Sequence, residues 1–315
     1  MKDKTLPSGS LSRYRKESLT SVLFFAPFAI LFFVFTILPV ITAAGYSLMD
    51  YSGIQKALFI GFRNFKYMMT EDDIFLIAIQ NTFSFAVISG IIGFCLSFVV
   101  AWIIDGVKGK MFFALAFYAP SITGGIAMSV VWLTFFSPDA YGWINNFLLR
   151  AGITDTPLLW TQNPKLILPM VCIVAVWMSM GTGFLAFLAG FQNLNKDISE
   201  AGQIDGISNK FEELIYIIIP QMKPMLLFGS VTAVTTAFAI HDVPLTLAGS
   251  PGPENASLTV VGHINDYVFT RLDMGYSSSL AIFLFALTFL VSRILFRILT
   301  ERDHTRKISF RRKGK

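Results

Sequence analysis

Few side chains in this sequence are equipped for chemistry, and most of those that are lie in one stretch. Residues 197–206 read Asp-Ile-Ser-Glu-Ala-Gly-Gln-Ile-Asp-Gly. Asp197 followed by Glu200 has the spacing of a capping box. There the first side chain accepts an orphan backbone N–H, and a Glu three residues on reaches back to another. Gly206 is placed to end this short helix in the left-handed conformation that glycine adopts cheaply. Ser208 or Asn209 can then open a second helix, running through Phe211, Leu214 and Ile215 to Pro220. The expected product is a rigid helix–turn–helix suited to docking in a groove of another protein. An ordinary interfacial connector fits the same residues.

Other chemistry is sparse. The three histidines, at 241, 263 and 304, are scattered, which argues against a membrane enzyme with clustered His, Asp or Glu. Two Gly-Lys pairs, Gly109-Lys110 and Gly314-Lys315, lack both the glycine five residues earlier and the following Ser or Thr of a phosphate-cradling loop. The chain therefore reads as a subunit without its own ATPase site, binding no cofactor. Cys95 and Cys172 read as small buried hydrophobes, with neither a disulfide framework nor a metal site implied.

The elements that must position the 197–206 stretch follow from the charge pattern. Of the 315 residues, 54% are apolar and only 14% charged, with a mean hydropathy of +0.62. A soluble domain carries about a quarter charged residues, so this chain is built for another solvent. Six intervals free of Asp, Glu, Lys and Arg stand out: Glu17 to Asp50, Asp73 to Asp105, Lys110 to Asp139, Lys165 to Lys196, Lys223 to Asp242 and Asp273 to Arg293. The shortest holds 18 residues, whereas no other interval exceeds 11. A bilayer core about 30 Å thick needs roughly 20 residues of helix, which allows six spans and no seventh. Backbone polar groups cannot be left bare in lipid, and barrel-type alternation is missing, so the spans must be helical. Their expected limits are 20–47, 78–104, 111–136, 166–192, 218–241 and 277–299. Kinks are expected at Pro27 and Pro39, at Pro120, and at Pro220 with Pro224. The first span is too long for a signal core and is read as retained.

With both termini inside, 19 basic residues fall on the cytoplasmic side and six outside. This positive-inside bias sets a multi-pass orientation with both termini cytoplasmic, against anionic headgroups and with no nucleic-acid partner. The organisation is then a basic cytoplasmic tail at 1–19, a first span and outer loop at 20–77, a core at 78–299 and a second basic tail at 300–315.

In this setting the 197–206 stretch resembles the EAA signature of binding-protein-dependent ABC importer permeases. It carries Glu200-Ala201-Gly202, three residues, then Gly206, with Pro220 downstream. The likeness to the sugar-type, maltose-like permeases extends over roughly 60–290. It includes Asn81-Thr82, Tyr118-Ala119-Pro120-Ser121, Trp132, Gly142 with Asn145 and Gly152, Leu245-Thr246, and Met274-Gly275-Tyr276-Ser277. The resemblance implies an all-α integral membrane fold of type I ABC importer permeases, with six transmembrane helices and a cytoplasmic coupling helix. It also implies the partners: a second permease, two cytoplasmic ATPase subunits that use ATP and Mg, and an extracytoplasmic solute-binding protein. By the same resemblance Glu200 anchors the coupling helix, Ala201 permits close approach, Gly206 sets the exit angle, and Gly202 and Asp205 lie on the docking segment. Two departures are visible. Gly202 replaces the usual Ala, at a cost of about 1 kcal/mol of helix stability. Ten residues rather than nine separate Gly206 from Ile217, and one extra helical residue would turn the following face by about 100°.

The spans hold no central Asp, Glu, Lys or Arg, the usual parts of a proton or sodium relay. A secondary carrier is the alternative reading, but it would call for such groups and for inverted repeats. ATP hydrolysis in a separate subunit explains the missing motor better. His241 and Asp242, at the outer end of the fifth span, read as loop or gate residues. A passage without a counter-ion suits a neutral, hydroxyl-rich cargo met by aromatic faces and hydroxyls. Tyr118, Ser121, Trp132, Trp177, Ser179 and Thr182 are the candidates, and helix packing is the bland explanation for each. Gly181-Thr182-Gly183 and Gly124-Gly125 read either as close contacts in a dimer or as hinges.

Overall fold

The computed structural model describes residues 21–301. The basic segments 1–20 and 302–315, which supply much of the expected charge bias, lie outside the described residues. Helices α1 (Ser21–Tyr46), α2 (Arg63–Thr70) and α3 (Asp73–Asp105) are followed by the shorter α4 (Lys110–Ile122), α5 (Gly125–Phe135) and α6 (Trp143–Arg150). Next come α7 (Pro164–Met178), α8 (Thr182–Gln192), α9 (Lys196–Ile204) and α10 (Lys210–Glu213). Helices α11 (Lys223–Phe238), α12 (Asp242–Ala248), α13 (Val260–Asn265) and α14 (Met274–Glu301) complete the described residues. A two-stranded antiparallel ribbon joins α1 to α2, pairing Met49 with Phe59 and Asp50 with Leu58.

Among the described residues, five helical stretches are long and apolar enough to cross a bilayer, and α4 with α5 makes the sixth span. This pair corrects the expected single helix at 111–136. The two helices meet at 98°, and the break falls at Thr123 and Gly124, whose extended backbone cannot continue a helix. Pro120 itself stays inside α4. The expected 166–192 span is also interrupted, at Ser179–Gly181, where Gly181 leaves helical geometry with φ −100° and ψ −137°. The fifth span starts at Lys223 rather than 218 and continues through α12.

Two of the expected prolines act through widened turns. In α1 a π segment at Phe33–Ile37 ends two residues before Pro39. A second π segment at Leu214–Ile218 ends two residues before Pro220. Proline offers no N–H and its ring collides with the carbonyl four residues back, so a wider turn relieves both problems.

Three apolar clusters hold the bundle together. One lies among α3, α7, α11 and α12, around Phe85, Met170 and Phe238. Another joins α3, α8 and the 214–222 segment around Phe98, Phe187 and Met222. The third gathers α2, α3, α13 and α14 around Phe75, Tyr267 and Tyr276. Helix α1 runs along α14 and buries none of its residues within the chain. Cys172 is buried as expected, but Cys95 is not: it lies on the exposed face of α3 with Ile91, Ile92 and Val99, one helical turn apart.

Candidate functional site: a projecting hairpin and a cleft between broken helices

The hairpin of α9 and α10 is built almost wholly by local hydrogen bonds. The cap of α9 is Asn195, whose Oδ1 accepts the Asp197 N–H at 2.9 Å. This corrects the expected cap at Asp197, which instead lies in the first turn, where a carboxylate suits the positive end of the helix. The capping box stands at the next helix. Asn209 accepts the N–H groups of Phe211 and Glu212 at 3.0 and 2.8 Å, and Glu212 reaches back to the Ser208 N–H at 3.1 Å.

Gly206 closes α9 with φ +102°. The Ile207 N–H meets the Gly202 carbonyl at 3.0 Å and the Gly206 N–H meets that of Gln203 at 3.3 Å, the paired bonds of a Schellman turn. Gly202 is explained by its surroundings: a Cβ there would meet Cδ1 of Ile207 at 3.2 Å and would also run into Cδ1 of Ile217. The absence of a side chain lets both isoleucines close over the helix. The π segment at Leu214–Ile218 takes up the additional residue before Ile217, since a π turn holds one residue more than an α turn. Glu200, Ala201, Asp205 and Gly206 are exposed, beside the exposed apolar side chains of Ile198, Ile204 and Phe211.

The second feature is a cleft of about 370 Å³ within the bundle. Both helix breaks line it, through Thr123 and Gly124 on one side and Ser179 and Gly181 on the other. They are neighbours, as a Cβ on Gly181 would lie 3.7 Å from Cβ of Ser121. Irregular backbone inside a membrane is tolerated where it faces such a cavity, and broken helices are a recurrent way to build a solute site there. Of the sequence candidates, Ser121, Ser179 and Thr182 line the cleft, whereas Tyr118, Trp132 and Trp177 do not. Tyr118 packs on the Phe98–Met222 cluster, and Trp132 and Trp177 meet edge to face at 5.4 Å beside Phe136. Ser89 and Ser97 of α3 and Thr232 and Thr236 of α11 complete the hydroxyl lining. Their signal was legible as small and hydroxyl residues four or eight apart, which places them on one helix face.

Gly183 packs against Gly229 of α11, with 3.7 Å between its Cβ position and that Cα, so its close approach is made within the chain. Gly124 and Gly181 mark the breaks themselves.

No family model matches the chain. It is 31% identical over 288 residues to the "Probable ABC transporter permease protein YesP" of Bacillus subtilis, covering 90% of this chain and 91% of that one. The chain belongs to the sugar-type permease family of ABC importers. The arabinooligosaccharide transport permease AraP of Bacillus subtilis is 26% identical over 92% of each chain. A crystal structure of a bacterial alginate ABC transporter, in complex with an alginate-bound periplasmic protein, superimposes with a TM-score of 0.77 at 19% identity. It covers 92% of this chain and 96% of that one.

The other family-like residues of the permease turn out to be latches at the end of the bundle remote from the hairpin. Asn81 donates to the carbonyls of Asn255 and Leu258 at 2.9 and 3.1 Å, and Thr82 accepts the Val260 N–H at 2.9 Å. Asn145 is fully buried. It donates to the carbonyls of Ser137, Asp139 and Leu158 and accepts from the Leu158 N–H and the Trp160 indole. A Cβ on Gly275 would strike the Met49 carbonyl, so glycine is needed where the ribbon crosses α14. Tyr276 donates to Asp72 at 2.6 Å, and His263 lies 2.8 Å from the same oxygen. Burial pushes the Asp72 carboxyl up. The hydrogen bonds of His263, Tyr276 and the Phe75 amide, with the charge on His263, outweigh this and bring it down to about 2. This knot was missed in the sequence, where Asp72 and His263 stand 191 residues apart.

Proposed function

We propose that this permease moves a neutral oligosaccharide inward through the cleft between its broken helices, driven by ATP that separate subunits hydrolyse. The reading rests above all on the cleft: hydroxyls line it and no Asp, Glu, Lys or Arg does. Such a wall suits a cargo that exchanges hydrogen bonds and carries no charge. Relatives named for oligosaccharide transport agree with the class of cargo.

The hairpin supports the second half of the proposal. It is small, rigid at both caps, and presents Glu200 and Ala201 among exposed Ile198, Ile204 and Phe211. A knob of that character suits a groove on a cytoplasmic ATPase, with Glu200 as anchor and Gly206 setting the angle. The hairpin then faces the cytoplasm with both termini, and the latched end meets an extracytoplasmic binding protein, as the complexed state of the alginate transporter suggests. A second, similar permease would complete the passage, and ATP and Mg would be handled by two ATPase subunits in an assembly of the bacterial inner membrane.

The test is reconstitution. Proteoliposomes holding this permease, a second permease, the ATPase and the binding protein should accumulate oligosaccharide only with ATP. Accumulation by this chain alone, without ATP, would overturn the proposal in favour of a carrier.

A further inference from the structure

The hydroxyls of the cleft are not free to act in both directions. Ser89, Ser121, Ser179, Thr232 and Thr236 each lie 2.6–2.9 Å from a carbonyl three or four residues back on their own helix. A carbonyl can only accept, so each hydroxyl has committed its one proton to the helix and turns lone pairs toward the cleft. Among the described residues, Ser97 and Thr182 are the lining hydroxyls without such a bond. The side-chain hydroxyls of the wall thus serve mostly as acceptors, and its donors are the backbone N–H groups that open α5 at Gly125 and α8 at Thr182 without a side-chain cap. No Lys or Arg lines it.

One charged side chain stands at its edge. Asp242 opens α12 immediately before Val243, which lines the cleft, and lies against Gly125, which lines it too. A Cβ on Gly125 would sit 3.2 Å from Cβ and 3.4 Å from Oδ2 of Asp242, so glycine leaves the carboxylate room against bare backbone at the rim. The side chain is exposed, and no hydrogen bond or ion pair engages its carboxylate among the described residues. His241 is directed elsewhere, with its Nδ1 near Gly262.

We infer that Asp242 is a specificity-determining residue, a negative rim at the edge of the cleft that favours neutral and cationic sugars over carboxylated or sulfonated ones. The inference rests on the proposed passage and adds a charge rule to it. The fold alone imposes no such rule, since a solved neighbour serves alginate, a polyuronate. A carboxylate approaching Asp242 meets like charge at the rim before it can reach the backbone donors inside. A polyol meets an acceptor at the rim, then acceptors and donors inside, and gives up little of its hydration energy.

The test reads the field of the rim with two reagents of similar size and opposite charge, in the assembled importer. A cysteine replaces Thr236 in a Cys95→Ser, Cys172→Ala background, and is modified by the trimethylammonium-ethyl or the sulfonato-ethyl methanethiosulfonate. Asp242→Asn should lower the cationic-to-anionic rate ratio by roughly fivefold, the size of one charge acting across a wet rim. Ser89→Cys serves as the second reporter if the Thr236 variant does not assemble. An unchanged ratio with normal labelling would overturn the role of Asp242 and leave the passage standing. Failure of both reagents at both positions would overturn the passage itself, and the inference with it. A transport arm completes the test: Asp242→Asn should raise uptake of maltotriose oxidised to its uronate relative to maltotriose, at equal saturation of the binding protein. An unaltered ratio would again count against the inference.

Discussion

The hairpin at 195–221 and the polar knot around Asp72 are both hydrogen-bonded ends of one bundle, but they are made in opposite ways. In the hairpin every cap bond spans two to four residues, and the surface is exposed. A single longer bond, from the Asn195 N–H to Gln221, closes its base. In the knot the partners of Asp72 lie 191 and 204 residues away, and the carboxylate is buried. The tip formed by α9 and α10 makes its cap bonds within itself and meets the bundle through buried Leu214 and Ile218 at its base, so it can tilt there without losing its shape. A unit tied across the chain holds several helices in one arrangement. The permease thus has a self-contained knob at one end and a clamp at the other.

That contrast can be broken by substitution, and the largest effect is expected at the clamp. Asp72→Ala would leave His263 and Tyr276 buried without their partner and should cost about 3 kcal/mol of stability, read as a fall in Tm of the purified protein in detergent. The same carboxyl makes the clamp acid-sensitive. Its pKa is lowered from 3.8 to about 2 in the folded state, so its contribution is full above about pH 4 and is lost as the pH falls toward 2. The Ala variant should lose this part of the acid response. Asn145→Ala, which orphans the Trp160 indole and the Leu158 N–H, should cost about 2 kcal/mol in the same assay.

Effects in the hairpin should be smaller and confined to it. Asn209→Ala should cost about 1 kcal/mol, seen as faster amide exchange over 208–215 with Tm nearly unchanged. Asp197→Ala, which removes no cap, should stay within about 0.5 kcal/mol. If Asp197 mattered as much as Asn209, the assignment of the caps would be wrong. If Asn209→Ala lowered Tm as much as Asp72→Ala, the two ends would not differ as described.

The same contrast explains what the sequence revealed. The six spans were legible because each is a run without charge, a property of neighbouring residues. The hairpin and its Gly206 turn were legible for the same reason, although Asn195 and Asn209 competed with Asp197 and Ser208 as caps and only the folded backbone chose between them. The sequence places only a kink in the third span, at Pro120, because proline is its usual cause, and the structure has a 98° break instead. Thr123 and Gly124 take that role, in a position made tolerable by the cleft beside them. Trp132 and Trp177 offer aromatic faces suited to a cargo, but the folded chain packs them edge to face on each other. The knot was invisible because nothing local links Asp72 to His263 or Tyr276.

Coupling of the hairpin to an ATPase should be most sensitive to substitution at Gly206. A β-branched residue at φ +102° is strained, and loss of the Schellman turn should redirect α9 without touching the bundle. ATPase activity of the assembled importer carrying Gly206→Val should be measured with and without binding protein and cargo. The complex should assemble with an unchanged Tm but lose stimulation of ATP hydrolysis. Stimulation at the wild-type level would contradict the coupling role.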